Sequence, residues 1–145
     1  MGYVESNLIP GEQVVYKTRI HLVVFLPSGA VILAGIVFGA IYHPLAGLAV
    51  IGFGAVMVIG AWIRHWTSEF AVTNKRVIVK VGLISRRTIE INMSRVESVE
   101  VNQGIFARLL NYGNIVVVGT GGTKEPFDLI DDPLTFRRAV QSQQG

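Results

Sequence analysis

The chain has no cysteine, which excludes thiolate catalysis, cysteine-ligated zinc and disulfide bonds. Histidine is scarce, and His21, His43 and His65 show no HExxH or triad spacing. Charged residues make up only 16% of the sequence, and none lies between residues 22 and 63. With 50% hydrophobic residues and a mean hydropathy of +0.48, this excludes an ordinary soluble enzyme, a secreted disulfide scaffold and a disordered chain.

What fills the uncharged stretch is apolar sequence rich in glycine and alanine. A bilayer-spanning helix needs about 20 apolar residues, so the stretch is long enough for two. One continuous helix would be about 63 Å long, roughly twice the hydrocarbon thickness. Pro44 cannot continue a preceding helix but suits the first turn of a new one. The reading is a transmembrane hairpin with spans over about 22–42 and 44–63. A cleaved signal peptide fits poorly, because the apolar stretch is too long and its acidic, strand-like lead is wrong for one.

Lys17 and Arg19 precede the first span, and Arg64, Lys75 and Arg76 follow the second. The connection between the spans carries no basic residue. The positive-inside rule therefore predicts a multi-pass protein of the cytoplasmic membrane with both termini in the cytoplasm. Trp62, His65 and Trp66 fall where an interfacial aromatic anchor belongs. Gly35 and Gly39 form a GxxxG, while Gly47, Gly54 and Ala61 recur every seven residues on one face. Such small residues allow close helix packing, within one chain or between copies. No ionisable group sits in mid-span, which argues against a transport path.

After Arg64 the apolar period changes to two. Strands are predicted over 68–72, 76–82, 86–92, 96–102, 114–119 and 124–130. Helical spacing appears over 105–110, with Gly113 placed to close it, and over 133–143, with Asp132 as N-cap. Residues 12–20 alternate as well, with Val14, Tyr16, Thr18 and Ile20 on one face. They are expected to pair with the strand after the hairpin and to share its core. The organisation read from this is a strand within 1–21, a hairpin at 22–63, and a cytoplasmic domain at 66–145 that incorporates the first strand.

Several runs resemble bacterial pleckstrin-homology (PH) domain membrane proteins of the YdbS-like type. They are Leu8-Ile9-Pro10-Gly11-Glu12, Phe70-Ala71-Val72-Thr73-Asn74-Lys75-Arg76, Gly82-Leu83-Ile84-Ser85-Arg86-Arg87 and Leu109-Leu110-Asn111-Tyr112-Gly113. The stretch from Val96 to Gln103-Gly104 is similar too. The resemblance implies a seven-stranded, bent antiparallel barrel closed by a C-terminal helix. It implies no established activity.

The remaining chemistry is sparse. Gly119-Thr120-Gly121-Gly122-Thr123 leads into a strand rather than a helix and lacks GKS or GKT, so it reads as a hairpin turn. The carboxylates Glu125, Asp128, Asp131 and Asp132 lack the convergence that a metal or acid–base site needs. The basic residues Lys75, Arg76, Lys80, Arg86 and Arg87 flank two turns and are the candidates for anionic lipid or partner contact. The net charge of +3 is too small and too scattered for nucleic acid. The expectation is a non-enzymatic membrane-tethered binding or scaffold module with no cofactor and no small-molecule substrate. Its partners would be the bilayer and a protein or a second copy. The alternative is a structural subunit of a larger membrane complex.

Overall fold

Val- and Ile-rich alternation builds seven strands, one before the apolar stretch and six after it. The computed structural model describes residues 2–83 and 85–145. Met1 and Ile84 lie outside the described residues, and so do the expected placing of Met1 and the centre of the Gly82–Ser85 turn. The chain opens with α1 (Tyr3–Ser6) and β1 (Val14–Thr18), then a 3-10 turn at Leu22–Phe25, α2 (Leu26–Ile41) and α3 (Pro44–Thr67). The strands β2 (Glu69–Thr73), β3 (Arg76–Val81), β4 (Arg87–Asn92) and β5 (Val96–Asn102) follow. The short helix α4 (Ile105–Leu110), the strands β6 (Tyr112–Gly119) and β7 (Lys124–Asp131), and the helix α5 (Pro133–Gln144) complete it.

The strands form two antiparallel sheets, β1-β2-β3-β4 and β5-β6-β7, where a single barrel was expected. The sheets meet at an isolated bridge between Ile20 and Ile130. Beside it the His21 N–H donates to the Leu129 carbonyl at 2.7 Å, and the Asp131 N–H donates to the Arg19 carbonyl at 2.9 Å. A register shift in the β6–β7 pairing falls next to Leu129, whose φ is 57°. This left-handed conformation is costly for leucine, and it belongs to the bulge from which the Leu129 carbonyl reaches His21. Phe70, Val72, Val77, Val79, Ile115, Val117, Ile130, Phe136 and Val140 form the core between the sheets and α5. Each such side chain stabilises the fold by roughly 1.5–3 kcal/mol through burial.

The outer face of the first sheet is covered as well, which the alternation did not show. Val4 of α1 is fully buried in a small cluster with Ala71 and Ile78. The first N–H groups of a helix have no intrahelical partner. Here those of Tyr3 and Val4 both donate to the Glu69 carboxylate at 3.1 Å, and an anion at a helix N-terminus is favoured. β1 pairs with β2, but its register shifts between Val14 and Tyr16. Such a bulge reverses the facing of every residue beyond it. Tyr16 therefore packs on the main core, and Val14 joins the outer cluster instead of the core shared by Phe70 and Val79.

Two local expectations are corrected. α4 closes at Asn111, in the left-handed conformation with φ 59°, because Gly113 is already paired inside β6. Asp132 stands at the N-cap of α5 but has φ 48° and makes no side-chain cap bond. Its N–H donates instead to the Asn111 carbonyl at 3.0 Å.

α2 and α3 run antiparallel through the break at Tyr42 and His43, and both apolar segments are long and apolar enough to cross a membrane. α3 continues to Thr67, one turn beyond the expected 63. The close contact is made by glycine. A Cβ on Gly47 would meet Gly39 Cα and lie 2.7 Å from the Gly35 carbonyl oxygen. A Cβ on Gly54 would lie 2.6 Å from Ile32 Cγ1. Gly35 is buried, and Ala61 is half-buried.

Candidate functional site

β1 ends and β2 begins where the helical hairpin joins the sheets, so the domain has a helix-proximal end and a distal end. Strand register assigns every candidate residue to one of them. Glu69, just after α3, pairs with Lys80, and Val81 pairs with Arg87. The β3–β4 turn is therefore proximal, and the Thr73-Asn74-Lys75 turn is distal. The five basic residues grouped by sequence do not form one cluster.

At the distal end the basic residues are engaged in a lock between two loops. The Lys75 ammonium donates to the Pro10 carbonyl at 2.8 Å. The Asn74 amide donates to the Gly11 carbonyl at 3.1 Å, while its side-chain oxygen accepts from the Gln13 N–H at 2.9 Å. The Arg76 guanidinium contacts Glu12 through Nε at 2.9 Å and pairs with Glu90. The Glu12 side chain is 0% exposed and that of Arg76 12%. Burial pushes the Glu12 carboxyl up, but bonds from Arg76, the Ile9 N–H and Thr73 outweigh it and hold the group below its ordinary value. The bond to Glu12 raises the Arg76 guanidinium in turn. This satisfied, buried pair corrects the reading of Arg76 as a residue for outside ligands. It also explains why the Pro10-Gly11-Glu12 and Thr73-Asn74-Lys75-Arg76 runs belong together.

Lys80 lies on the outer face with its ammonium 5.7 Å from the centre of the Tyr3 ring. Arg86 and Arg87 are exposed at the proximal end, and Arg87 reaches Glu125 of β7 at 3.2 Å. A cleft of about 240 Å³ opens there between β4 and β7. Arg64, Gly82, Ser85, Arg87 and Asp128 line it, over an apolar floor that includes Phe70 and Phe127. In the sequence Arg64 marks only the orientation of the spans, and nothing local links it to Arg87. That link needs the strand register.

The same end holds the junction with the helices. The His65 ring Nδ1 lies 2.6 Å from the Ile20 carbonyl oxygen. His21 caps the 3-10 turn by accepting the Val23 N–H at 3.0 Å and stacks on Tyr112 at 5.2 Å. Trp62 and Trp66 pack edge to face at 6.4 Å, and Arg19 lies 5.8 Å from the centre of the Trp66 ring. A second cleft, lined by Asn102, Gln103, Arg108, Asn111 and Arg137, opens behind α4. Its lining holds two guanidinium groups and no carboxylate. Among the described residues no group of three or more His, Asp or Glu could hold a metal ion. The arrangement suits contact with anions at an apolar boundary.

The family model described as the bacterial PH domain matches residues 22–144. The crystal structure of a DUF1696-family protein with a pleckstrin-homology domain from Shewanella loihica is similar at 16% identity. The similarity covers 57% of this chain and 74% of that one, with a TM-score of 0.45. No curated protein matches the chain.

Proposed function

This chain belongs to the bacterial PH domain family, which suggests a binding or scaffold module, and from that premise we propose that it is a non-enzymatic module tethered to the cytoplasmic face of a membrane. α2 and α3 cross the bilayer, and the two sheets rest on its inner surface. The observation that carries this is the outer face of the hairpin. Leu33, Ile36, Leu48, Phe53, Val56 and Ile59 are all exposed along it, and charge begins only at the Arg19 and Arg64 end. A water-soluble monomer does not present an apolar surface of that extent.

In this position Arg64, Arg86 and Arg87 meet anionic headgroups, each contributing about 1 kcal/mol near the surface. β4 is an edge strand with Arg87, Thr88, Glu90 and Asn92 exposed, so a partner's extended segment can add to it through backbone hydrogen bonds. The alternative of a subunit held in a larger complex by its glycines has less support, because Gly35, Gly39, Gly47 and Gly54 pack within the chain.

Thiol labelling tests the tethering, since the sequence has no cysteine of its own. Single cysteines are introduced as Ser6→Cys, His43→Cys and Ser142→Cys in intact bacterial cells. An impermeant reagent is expected to reach position 43 directly, and positions 6 and 142 only after the membrane is opened. Direct labelling at 6 or 142 overturns the topology.

A further inference from the structure

The six residues of α4 include four large apolar side chains, and all four face outward. Ile105 is 79% exposed, Phe106 77%, Leu109 76% and Leu110 52%. Only Ala107 is buried against the domain. Folding has left a compact apolar face on a helix too short to stand alone.

Its position decides what covers it. Leu110 lines one groove together with His21, Leu22, Leu26 and Leu33, so the α4 face continues onto the outer face of the first apolar helix. The helix is held there from both sides of its C-terminus. Tyr112 stacks on His21, and the Asn111 carbonyl accepts the Asp132 N–H. Arg108 turns the other way, into the carboxylate-free cleft with Arg137. An exposed apolar face that joins the hairpin through Leu110, with Arg108 turned into the domain's cleft, matches the polarity gradient of a bilayer surface. A protein partner would leave the continuity with α2 unexplained.

We propose that α4 lies in the plane of the membrane interface, with Ile105, Phe106, Leu109 and Leu110 among the lipid acyl chains and Arg108 at the level of the phosphates. This rests on the reading that the hairpin crosses the bilayer, and it adds a further lipid contact that fixes the domain's tilt on the surface.

The full chain in phosphatidylglycerol–phosphatidylethanolamine liposomes tests it. An environment-sensitive fluorophore is attached at a single site through Phe106→Cys or Leu109→Cys. Leu33→Cys serves as a control within the span, and Glu97→Cys as a control on the distal, exposed part of β5. Doxyl lipids quench from within the bilayer, and iodide quenches from the water. Expected is quenching by shallow doxyl lipids at 106 and 109, by deep doxyl lipids at 33, and by iodide at 97. Lipid quenching at 33 with only iodide quenching at 106 and 109 overturns the placement of α4 while leaving the hairpin in the bilayer. Iodide quenching at 33 overturns the hairpin reading itself, and this inference with it. Shielding of 106 and 109 from both quenchers, with cross-linking between copies at 106, shows a second copy on the face and overturns lipid as its occupant.

Discussion

His65 on α3 and Ile20 beyond β1 are joined by a hydrogen bond of 2.6 Å, from ring Nδ1 to carbonyl oxygen. The carbonyl can only accept, so Nδ1 carries the proton. Ile20 also bridges Ile130. One residue thus ties the return of the apolar hairpin to the place where the two sheets meet. The domain is thereby held at a defined orientation to its helices, which is what gives a proximal end any functional meaning.

Loss of this bond should loosen the junction without unfolding either part. His65→Ala is expected to lower stability by about 1 kcal/mol, the net worth of a typical hydrogen bond. Thermal unfolding in mild detergent measures it. A melting temperature equal to that of the parent would mean that the contact does not couple the parts.

The Glu12–Arg76 pair sets an acid limit on the fold. The Glu12 carboxyl is held below its ordinary value in the folded chain. Its contribution is therefore fully present above the unfolded value of about 4.3 and is lost as pH falls through the lower folded value. Glu12→Gln removes the buried counterion of Arg76 and leaves only the more exposed Glu90, which should cost about 3 kcal/mol near neutral pH. The same substitution should flatten the loss of stability below about pH 4. Chemical unfolding across pH checks both, and an unchanged acid limb would remove Glu12 as its source.

Helix contact through glycine gives a sharp contrast between neighbouring positions. Gly47→Ala places a methyl group against Gly39 and the Gly35 carbonyl, whereas at Gly52 no atom lies within 4 Å of the added Cβ. The first should destabilise the hairpin by about 1–3 kcal/mol through overpacking. The second should be neutral or slightly stabilising, since alanine favours a helix over glycine. Equal melting temperatures for the two variants would contradict the packing described.

α1 contributes one fully buried side chain to the outer cluster. Val4→Ala should cost about 2 kcal/mol, because Val4 is fully buried on Ala71 and Ile78. A change below a few tenths of a kcal/mol in denaturant unfolding would mean that α1 is only an appendage.

Basic residues at the two ends should behave differently toward lipid. Replacing Arg86 and Arg87 together by Gln, or Arg108 and Arg137, is expected to weaken retention of phosphatidylglycerol by about 1 kcal/mol per residue. Lys75→Gln should leave it unchanged, because that ammonium is bound to Pro10 at the distal end. Native mass spectrometry of the full chain, titrated with anionic and zwitterionic lipid, reads the difference. Equal losses per charge removed from all the variants would indicate net charge rather than position.

Much of the architecture could be read from the sequence because it follows from local properties. A run without charge and with Pro44 at its break yields two apolar helices, and period-two alternation yields strands close to their observed limits. Alternation separates the faces of a strand but does not say what covers them. Alternation with Val77 and Val79 puts Ile78 on the same face as Arg76 and Lys80, and only the fold brings Val4 over it. The register shift after Val14 left no local mark, so the facing of Val14 was decided by pairing. The same holds for the candidate site. Lys75, Arg76, Arg86 and Arg87 are close in sequence, but β3 carries the chain from one end of the sheet to the other. Antiparallel pairing therefore sends one basic turn to the distal lock and leaves the other beside Arg64. The exposure of α4 is likewise a tertiary outcome, since four apolar residues at helical spacing look the same whether they face a core or a bilayer.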